Sequence, residues 1–86
     1  MEFPVESDLS RLKEGESAVI QSINADEALH HRLVALGFGI GKPITVIRLG
    51  RFSGPLQVRV GTTDVILRRR DAARIRVRTM PASAAA

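Results

Sequence analysis

The clearest pattern in the chain lies after Gly41, where short apolar alternations recur between turn residues. Leu56-Gln57-Val58-Arg59-Val60 alternates cleanly, placing Leu56, Val58 and Val60 on one face and Gln57 and Arg59 on the other. Ile75-Arg76-Val77-Arg78 repeats the arrangement, with Ile75 and Val77 inward. Two further strands are predicted over Ile44–Leu49 and Thr63–Arg69. Pro43 stands at a strand start, where a missing N–H is tolerated, and Gly61-Thr62 supplies a turn. Upstream, Ser17–Ile23 is β-branched and apolar enough for another strand, although its alternation is imperfect. Arg70–Arg74 is too short for a regular helix and reads as a single 3₁₀ turn.

Two segments have a helical rather than an alternating pattern. Asp8–Gly15 reads as a helical turn or two, with Ser7 or Asp8 as its cap, Leu9 and Leu12 on one face, and Gly15 as its stop. Asn24-Ala25-Asp26-Glu27 resembles a helix start in which Asn24 caps and the acid three residues on reaches back. The helix is predicted over Ala25–Leu36, ended by Gly37. On a helical wheel Leu29, Leu33, Leu36 and Ala25 fall within about 80° of one another, a narrow stripe that should face the core.

About five strands, one helix inserted after the first of them and a short N-terminal helical turn predict a mainly β fold. Edges left open on so small a sheet would be unprotected, so closure into a small SH3-like barrel is expected, with the OB-fold as the alternative. The 86 residues fit one domain, with a core of about 7–79 and a tail, Thr79–Ala86, that should fray. The inserted helix is not required to close such a barrel, which would leave its outer face available.

Composition narrows the chemistry. Only Phe3, Phe38 and Phe52 are aromatic, so the core must be built of Val, Ile and Leu. Cysteine is absent, which excludes disulfides, thiol chemistry and Cys-ligated zinc, and fits a reducing cytoplasm. No stretch approaches the roughly 18 apolar residues of a membrane span, so no membrane insertion is expected. The acidic start, Met1–Glu6, lacks the basic and apolar regions of a signal peptide. The net charge of +4 conceals a division: residues 1–27 hold seven acids and two bases, residues 28–86 eleven bases and two acids. That division suggests one acidic and one basic surface region, with plain solubility as the alternative.

No catalytic set is visible. The serines lie in turns or exposed ends without an oriented base, and nearly all acids precede residue 28 at exposed positions, so no enzyme is expected. Gly37-Phe38-Gly39-Ile40-Gly41-Lys42 lacks the sixth-position glycine of a dinucleotide loop and the Lys-Ser/Thr of a Walker loop, and reads as a glycine-rich helix-to-strand turn. Glu27 and His31, one helical turn apart and opposite the leucine stripe, form an exposed carboxylate–imidazole pair; Asp26 and His30 form a second. Such pairs hold a divalent metal weakly, with water or a second molecule completing the shell, so a metal-bridged homodimer is a corollary. Alternatively Glu27 completes the cap and both histidines are simply solvated. Arg59, Arg76 and Arg78 project outward, and Arg68-Arg69-Arg70 adds to the basic character. A solvated face, an acidic protein partner and nucleic acid are the competing readings; against the last, this face has no aromatic rings for base stacking.

Taken in order, the elements resemble the FeoA family, small cytoplasmic companions of the bacterial ferrous iron transporter FeoB. The resemblance is carried by Leu9-x-x-Leu12-x-x-Gly15, Ile20 and Ile23, then Arg32-Leu33-x-x-Leu36-Gly37-x-x-x-Gly41 and Ile44-x-Val46. It continues through Gly54-Pro55-Leu56, Val58-x-Val60-Gly61, Val65-x-Leu67-Arg68-Arg69 and Ala73-x-Ile75-x-Val77. Ile40 stands where the family often has proline. The resemblance implies an SH3-like barrel with an inserted helical segment, and a non-enzymatic role in Fe²⁺ uptake through contact with the cytoplasmic part of FeoB. The same domain ends the DtxR-type metal-dependent repressors, so a direct metal-sensing domain is a further alternative. No cofactor is implied as a requirement; a weakly bound Fe²⁺ or Zn²⁺ would sit on the helix pairs above. The expected docking surface is the helix and following turn, Ala25–Gly41, at Glu27, His31 and Val34, with Arg59, Arg76 and Arg78 as basic candidates.

Overall fold

The structure is a computed structural model and describes residues 6–79. Six strands form one sheet: β1 (Glu6–Asp8), β2 (Ser17–Ile23), β3 (Pro43–Leu49), β4 (Leu56–Val60), β5 (Thr63–Leu67) and β6 (Ile75–Thr79). Their order is β1-β6-β2-β3-β4-β5, and every adjacent pair is antiparallel. The mainly β, SH3-like architecture expected from the sequence is present, with one strand more than the five predicted. The additional strand, β1, is three residues long and polar, so it has no apolar alternation to betray it; its pairing with β6 (Glu6 with Arg78, Asp8 with Arg76) is what makes it a strand.

The two strands that alternate imperfectly do so for a reason. The β2–β6 register shifts between Ile20 and Ser22, and the β3–β4 register between Val46 and Arg48. Each extra residue bends its strand and moves the next apolar side chain back to the inner face. Ala18 and Ile20 are therefore buried ahead of one shift and Ile23 packs on the core after it; Ile44 and Val46 behave likewise, followed by Leu49. The ends of the bent sheet, β1 and β5, are brought together by the turns that follow them. A 3₁₀ turn at Leu9–Arg11 packs against α2 (Arg69–Ala72), and the Arg69 guanidinium donates to the Ser10 carbonyl at 3.1 Å. Asp8 caps the 3₁₀ turn through the Ser10 N–H. The helical stretch predicted over Asp8–Gly15 is thus a single turn, and α2 is one turn of α-helix rather than a 3₁₀ turn, because Ala72 and Ala73 N–H groups reach four residues back. β5 correspondingly ends at Leu67, short of the predicted Arg69, where the chain turns into α2. Thr79 belongs to β6, opposite Ala18; the rest of the tail expected to fray lies outside the described residues.

The inserted helix, α1, spans Glu27–Ala35. Its cap is Asp26, whose Oδ1 accepts the Leu29 N–H at 2.8 Å, and not Asn24. Asn24 is occupied elsewhere: its N–H donates to the Arg74 carbonyl at 2.8 Å, prolonging the β2–β6 ladder by one step and delaying the helix. The C-terminus is closed by a Schellman arrangement. Phe38 N–H reaches the Leu33 carbonyl, Gly37 N–H reaches that of Val34, and Gly37 takes φ = 105°, a conformation open to glycine. Phe38 and Leu33 are both buried, completing the apolar contact that accompanies this motif. The following turn is tied back to β2 by Gly41 N–H to the Ile20 carbonyl and Ile20 N–H to that of Lys42.

The core is one cluster of aliphatic side chains with Phe38 as its only buried aromatic among the described residues. Leu29 and Leu33 enter it from the helix, and Ala25 and Leu36 pack on its margin, as the wheel requires. The helix is thus a structural part of the fold and not an addition to a barrel already complete. The caps discriminate between the two readings of its start. Asp26→Ala should destabilise the protein by about 0.5–2 kcal/mol, whereas Asn24→Ala should cost clearly less, because only Asp26 satisfies an otherwise orphaned helix N–H; urea unfolding measures both.

Candidate functional site

Burial of Leu29 and Leu33 dictates what α1 offers to solvent. Glu27, His30, His31, Arg32 and Val34 are all exposed, Val34 at 51%. Glu27 and His31 lie one turn apart on this outer side, where the sequence places them. Asp26 and His30 are also exposed, but Asp26 already accepts the Leu29 N–H and holds the helix start, which leaves Glu27 and His31 the freer pair. Among the described residues no three His, Cys, Asp or Glu side chains gather as a metal cluster. Two ligands from one helix leave a tetrahedral ion needing two more, from water or from a second molecule.

Beside the helix runs a groove that sequence reasoning did not assemble. One lobe, of about 390 Å³, is lined by Asp26, Ala28, Leu29, Arg32, Arg70, Asp71 and Arg74. A second, of about 310 Å³, shares Leu29, Arg32 and Asp71 and continues past Leu33, Leu36, Ile66, Leu67 and Arg68. Leu29, Leu33, Leu36, Ile66 and Leu67 give the groove aliphatic stretches, but guanidinium groups and the carboxylates of Asp26 and Asp71 make its lining more polar than apolar. Three consecutive arginines are divided by the turn into α2. Arg69 points at the 3₁₀ turn and is structural, while Arg68 and Arg70 are exposed and line the groove. Arg32, Arg68 and Arg70 have no ion-pair partner among the described residues; Arg74 makes a long hydrogen bond to the Asn24 carbonyl. The signal available in the sequence was the arginine run itself, but its convergence with Arg32, 36 residues earlier than Arg68, depends on the packing of α1 against the end of β5.

The three basic candidates on the strands are differently placed. Arg59 is engaged: its Nε and Nη2 meet the two carboxylate oxygens of Asp64 at 2.7 and 3.1 Å across the β4–β5 pair. This forked contact raises the pKa of Arg59 and lowers that of Asp64, in both cases chiefly through the side-chain hydrogen bond. Arg78 lies 3.7 Å from Glu6 of β1, and Arg76 is paired in register with Asp8. Here the division of charge along the chain does not become a division of the surface. Pairing β1 with β6 lays acids from the N-terminal part against arginines from the C-terminal part. These exposed contacts add little stability; Arg76 has no ion pair among the described residues, and the larger gathering of unpaired guanidinium groups is at the helix-side groove.

Comparison with known proteins follows the same outline. The profile of the FeoA domain matches residues 8–79. A Fe(2+) transport protein A/Fe(2+) transporter FeoB fusion protein of Porphyromonas gingivalis is 36% identical over 76 residues, covering 88% of this chain, which in turn spans only 9% of the fusion. A Campylobacter jejuni protein provisionally named Fe(2+) transport protein A is 35% identical over 69 residues, covering 80% of this chain and 93% of its own length. Among solved structures, the zinc complex of Stenotrophomonas maltophilia FeoA, described as a prokaryotic SH3 domain protein, superposes with a TM-score of 0.72. It is 36% identical, over 81% of this chain and 87% of that one. No helix among the described residues is long and apolar enough to cross a membrane.

The Arg59–Asp64 pair has a testable pH signature. Because folding lowers the Asp64 pKa, the pair's contribution is complete above the unfolded value and is lost as pH falls through the folded one. In carboxyl-detected NMR titration, Asp64 should titrate below the ordinary aspartate range, and Arg59→Ala should return its midpoint upward.

Proposed function

The chain belongs to the FeoA domain family, and on that premise we propose that it is a non-enzymatic, cytoplasmic, single-domain accessory of bacterial ferrous iron uptake that docks on the cytoplasmic part of a FeoB-type transporter. The family is one of Fe²⁺ transport, as the names of its relatives state. The observation that carries the docking reading is the fusion relative, in which an equivalent segment is covalently continuous with the transporter. Covalent linkage holds two partners at high effective concentration, an arrangement that serves a contact already useful between separate chains.

The geometry supplies a suitable surface. The outer side of α1 presents Val34 among Glu27 and His31, and the adjoining groove combines aliphatic side chains with unpaired guanidinium groups. The groove lining includes no aromatic ring on which bases could stack, which favours a protein segment over single-stranded nucleic acid. Arginines at its rim favour a partner segment that bears carboxylates. The turn from Gly37 to Gly41 holds the helix in place through its ties to β2, so the surface is preorganised.

A second reading, divalent metal binding that bridges two copies, is favoured by the zinc complex of the S. maltophilia relative. In this chain Glu27 and His31 would supply two ligands and a second copy the others, with Asp26 and His30 secondary because Asp26 is occupied as a cap.

Two measurements separate the readings. In titrations of the full chain against purified FeoB in nanodiscs, Val34→Glu and Arg70→Glu should each weaken binding by about tenfold or more, the loss typical of a central interface residue. Their melting temperatures should stay close to wild type, since both positions are exposed. Unchanged affinity in both variants would place the contact elsewhere. For the metal reading, sedimentation with added Zn²⁺ should show dimers of the wild-type chain and none of His31→Ala; dimers of both would remove His31 as the bridge.

A further inference from the structure

The loop between β3 and β4 ends in an aromatic side chain held out in water. Phe52 is 99% exposed, while the other described phenylalanine, Phe38, is buried in the core. Its backbone is left-handed (φ = 55°, ψ = 47°), and Ser53 follows at φ = 60°. Neither is glycine, and side-chain-bearing residues adopt this region only at an energetic cost. The loop is nevertheless tightly clasped. Gly50 N–H donates to the Pro55 carbonyl at 2.8 Å, and Gly54 N–H to that of Arg51 at 2.9 Å. The chains cross so closely that a Cβ on Gly50 would stand 2.5 Å from the Pro55 carbonyl oxygen. Phe52 is thus a stiff projection whose ring contributes little to the fold.

The surroundings of Phe52 have a definite chemistry. At the loop's base is a small hollow of about 140 Å³, apolar in lining, formed by Gly50, Pro55, Leu56 and Ile66 with Arg48 at its edge. Ile66 is 72% exposed and also lines the helix-side groove, so the hollow lies next to that groove. The cations are Arg48 and Arg51, neither with an ion-pair partner among the described residues. The nearby acids are committed: Glu14 accepts the Leu49 N–H, and Asp64 holds Arg59.

We infer that Phe52 is an anchor for a protein partner that presents an apolar pocket edged with carboxylates, the docking surface running from the helix-side groove across Ile66 to this loop. The inference rests on the docking reading above and extends it to a named anchor. The carboxylates follow from Arg51, which precedes the ring in the same loop, and Arg48, at the edge of the hollow below it, neither of which has an ion pair among the described residues. A shaped pocket follows from the strain. A costly backbone fixed by two glycine crossings is useful where the receiving site has a set geometry, whereas a fluid bilayer accepts an aromatic ring in any pose. A second copy fits less well, because it would oppose arginines to arginines.

The test uses Phe52→Gly in the full chain, since glycine relieves the left-handed backbone while deleting the ring. The melting temperature should rise, by roughly 4–8 °C for each kcal/mol recovered in a chain of this size, while affinity for FeoB in nanodiscs falls about tenfold or more. Phe52→Leu, which keeps an apolar tip, should restore part of the affinity. Opposite movement of stability and binding is the signature, because a residue serving the fold would lower both. If Arg70→Glu weakens the complex and Phe52→Gly does not, the anchor is overturned while the docking reading stands. If the wild-type chain fails to bind FeoB, the docking reading falls and this inference with it. Phe52-dependent binding to phosphatidylglycerol vesicles without FeoB would assign the ring to the membrane instead. Phe52-dependent dimers in sedimentation would assign it to self-association.

Discussion

Leu33 and its neighbours bind the rest of this structure together. Leu33 is completely buried in a core otherwise supplied mainly by strands, and Leu29 and Phe38 accompany it. An aliphatic side chain of this size, withdrawn from water, contributes about 1.5–3 kcal/mol, a large share of the stability of a small domain. More important than the magnitude is the direction it imposes. With one stripe held in the core, rotation of α1 about its axis is no longer free, so Glu27, His31 and Val34 must face outward. Arg32 must then meet the arginines that follow β5. The groove is a consequence of the packing and needs no separate cause.

The arginines illustrate how one residue type takes several roles within a small chain. Arg69 joins α2 to the first 3₁₀ turn and helps bring the sheet's ends together. Arg59 is paired with Asp64 in a forked contact, and Arg78 lies beside Glu6. Of the arginines without an ion pair among the described residues, Arg32, Arg68 and Arg70 lie around the groove, Arg48 and Arg51 lie near the base and in the loop of the exposed Phe52, and Arg76 stands on β6. Charge left uncompensated beside apolar surface contributes little to folding, and it is suited to steering and orienting an acidic partner. This distribution, more than the total charge of +4, is why protein docking is favoured over a generic affinity for nucleic acid.

Much of the fold could be read directly from residue order. The strands at Leu56–Val60 and Ile75–Val77 alternate without interruption because the extra residue at each register shift lies on the partner strand, β3 or β2, and the pattern is visible to a period of two. Where the register shifts, at Gln21 and Ile47, the alternation blurs and the inward residues after the shift could not be assigned with the same ease. β1 was missed because a short polar edge strand has no apolar period; its existence depends on a partner some seventy residues away. The helix start was misplaced by two residues for a similar reason. Asn24 and Asp26 are both good caps in isolation, and only the ladder contact to Arg74 removes Asn24 from the competition.

The sequence by itself determined which faces are apolar, where glycine must end α1, that the core is aliphatic, and which side of the helix meets water. These are local properties, decided by neighbours within a turn or a pair of strands. The tertiary structure alone decided that Arg32 converges with Arg68 and Arg70, that Arg59 is occupied by Asp64, and that acids at the N-terminus lie against arginines at the C-terminus. It also decided that Phe52 stands exposed on a left-handed, clasped loop. Each of these depends on contacts between segments distant in the chain, set by strand order and helix packing, for which no local periodicity exists.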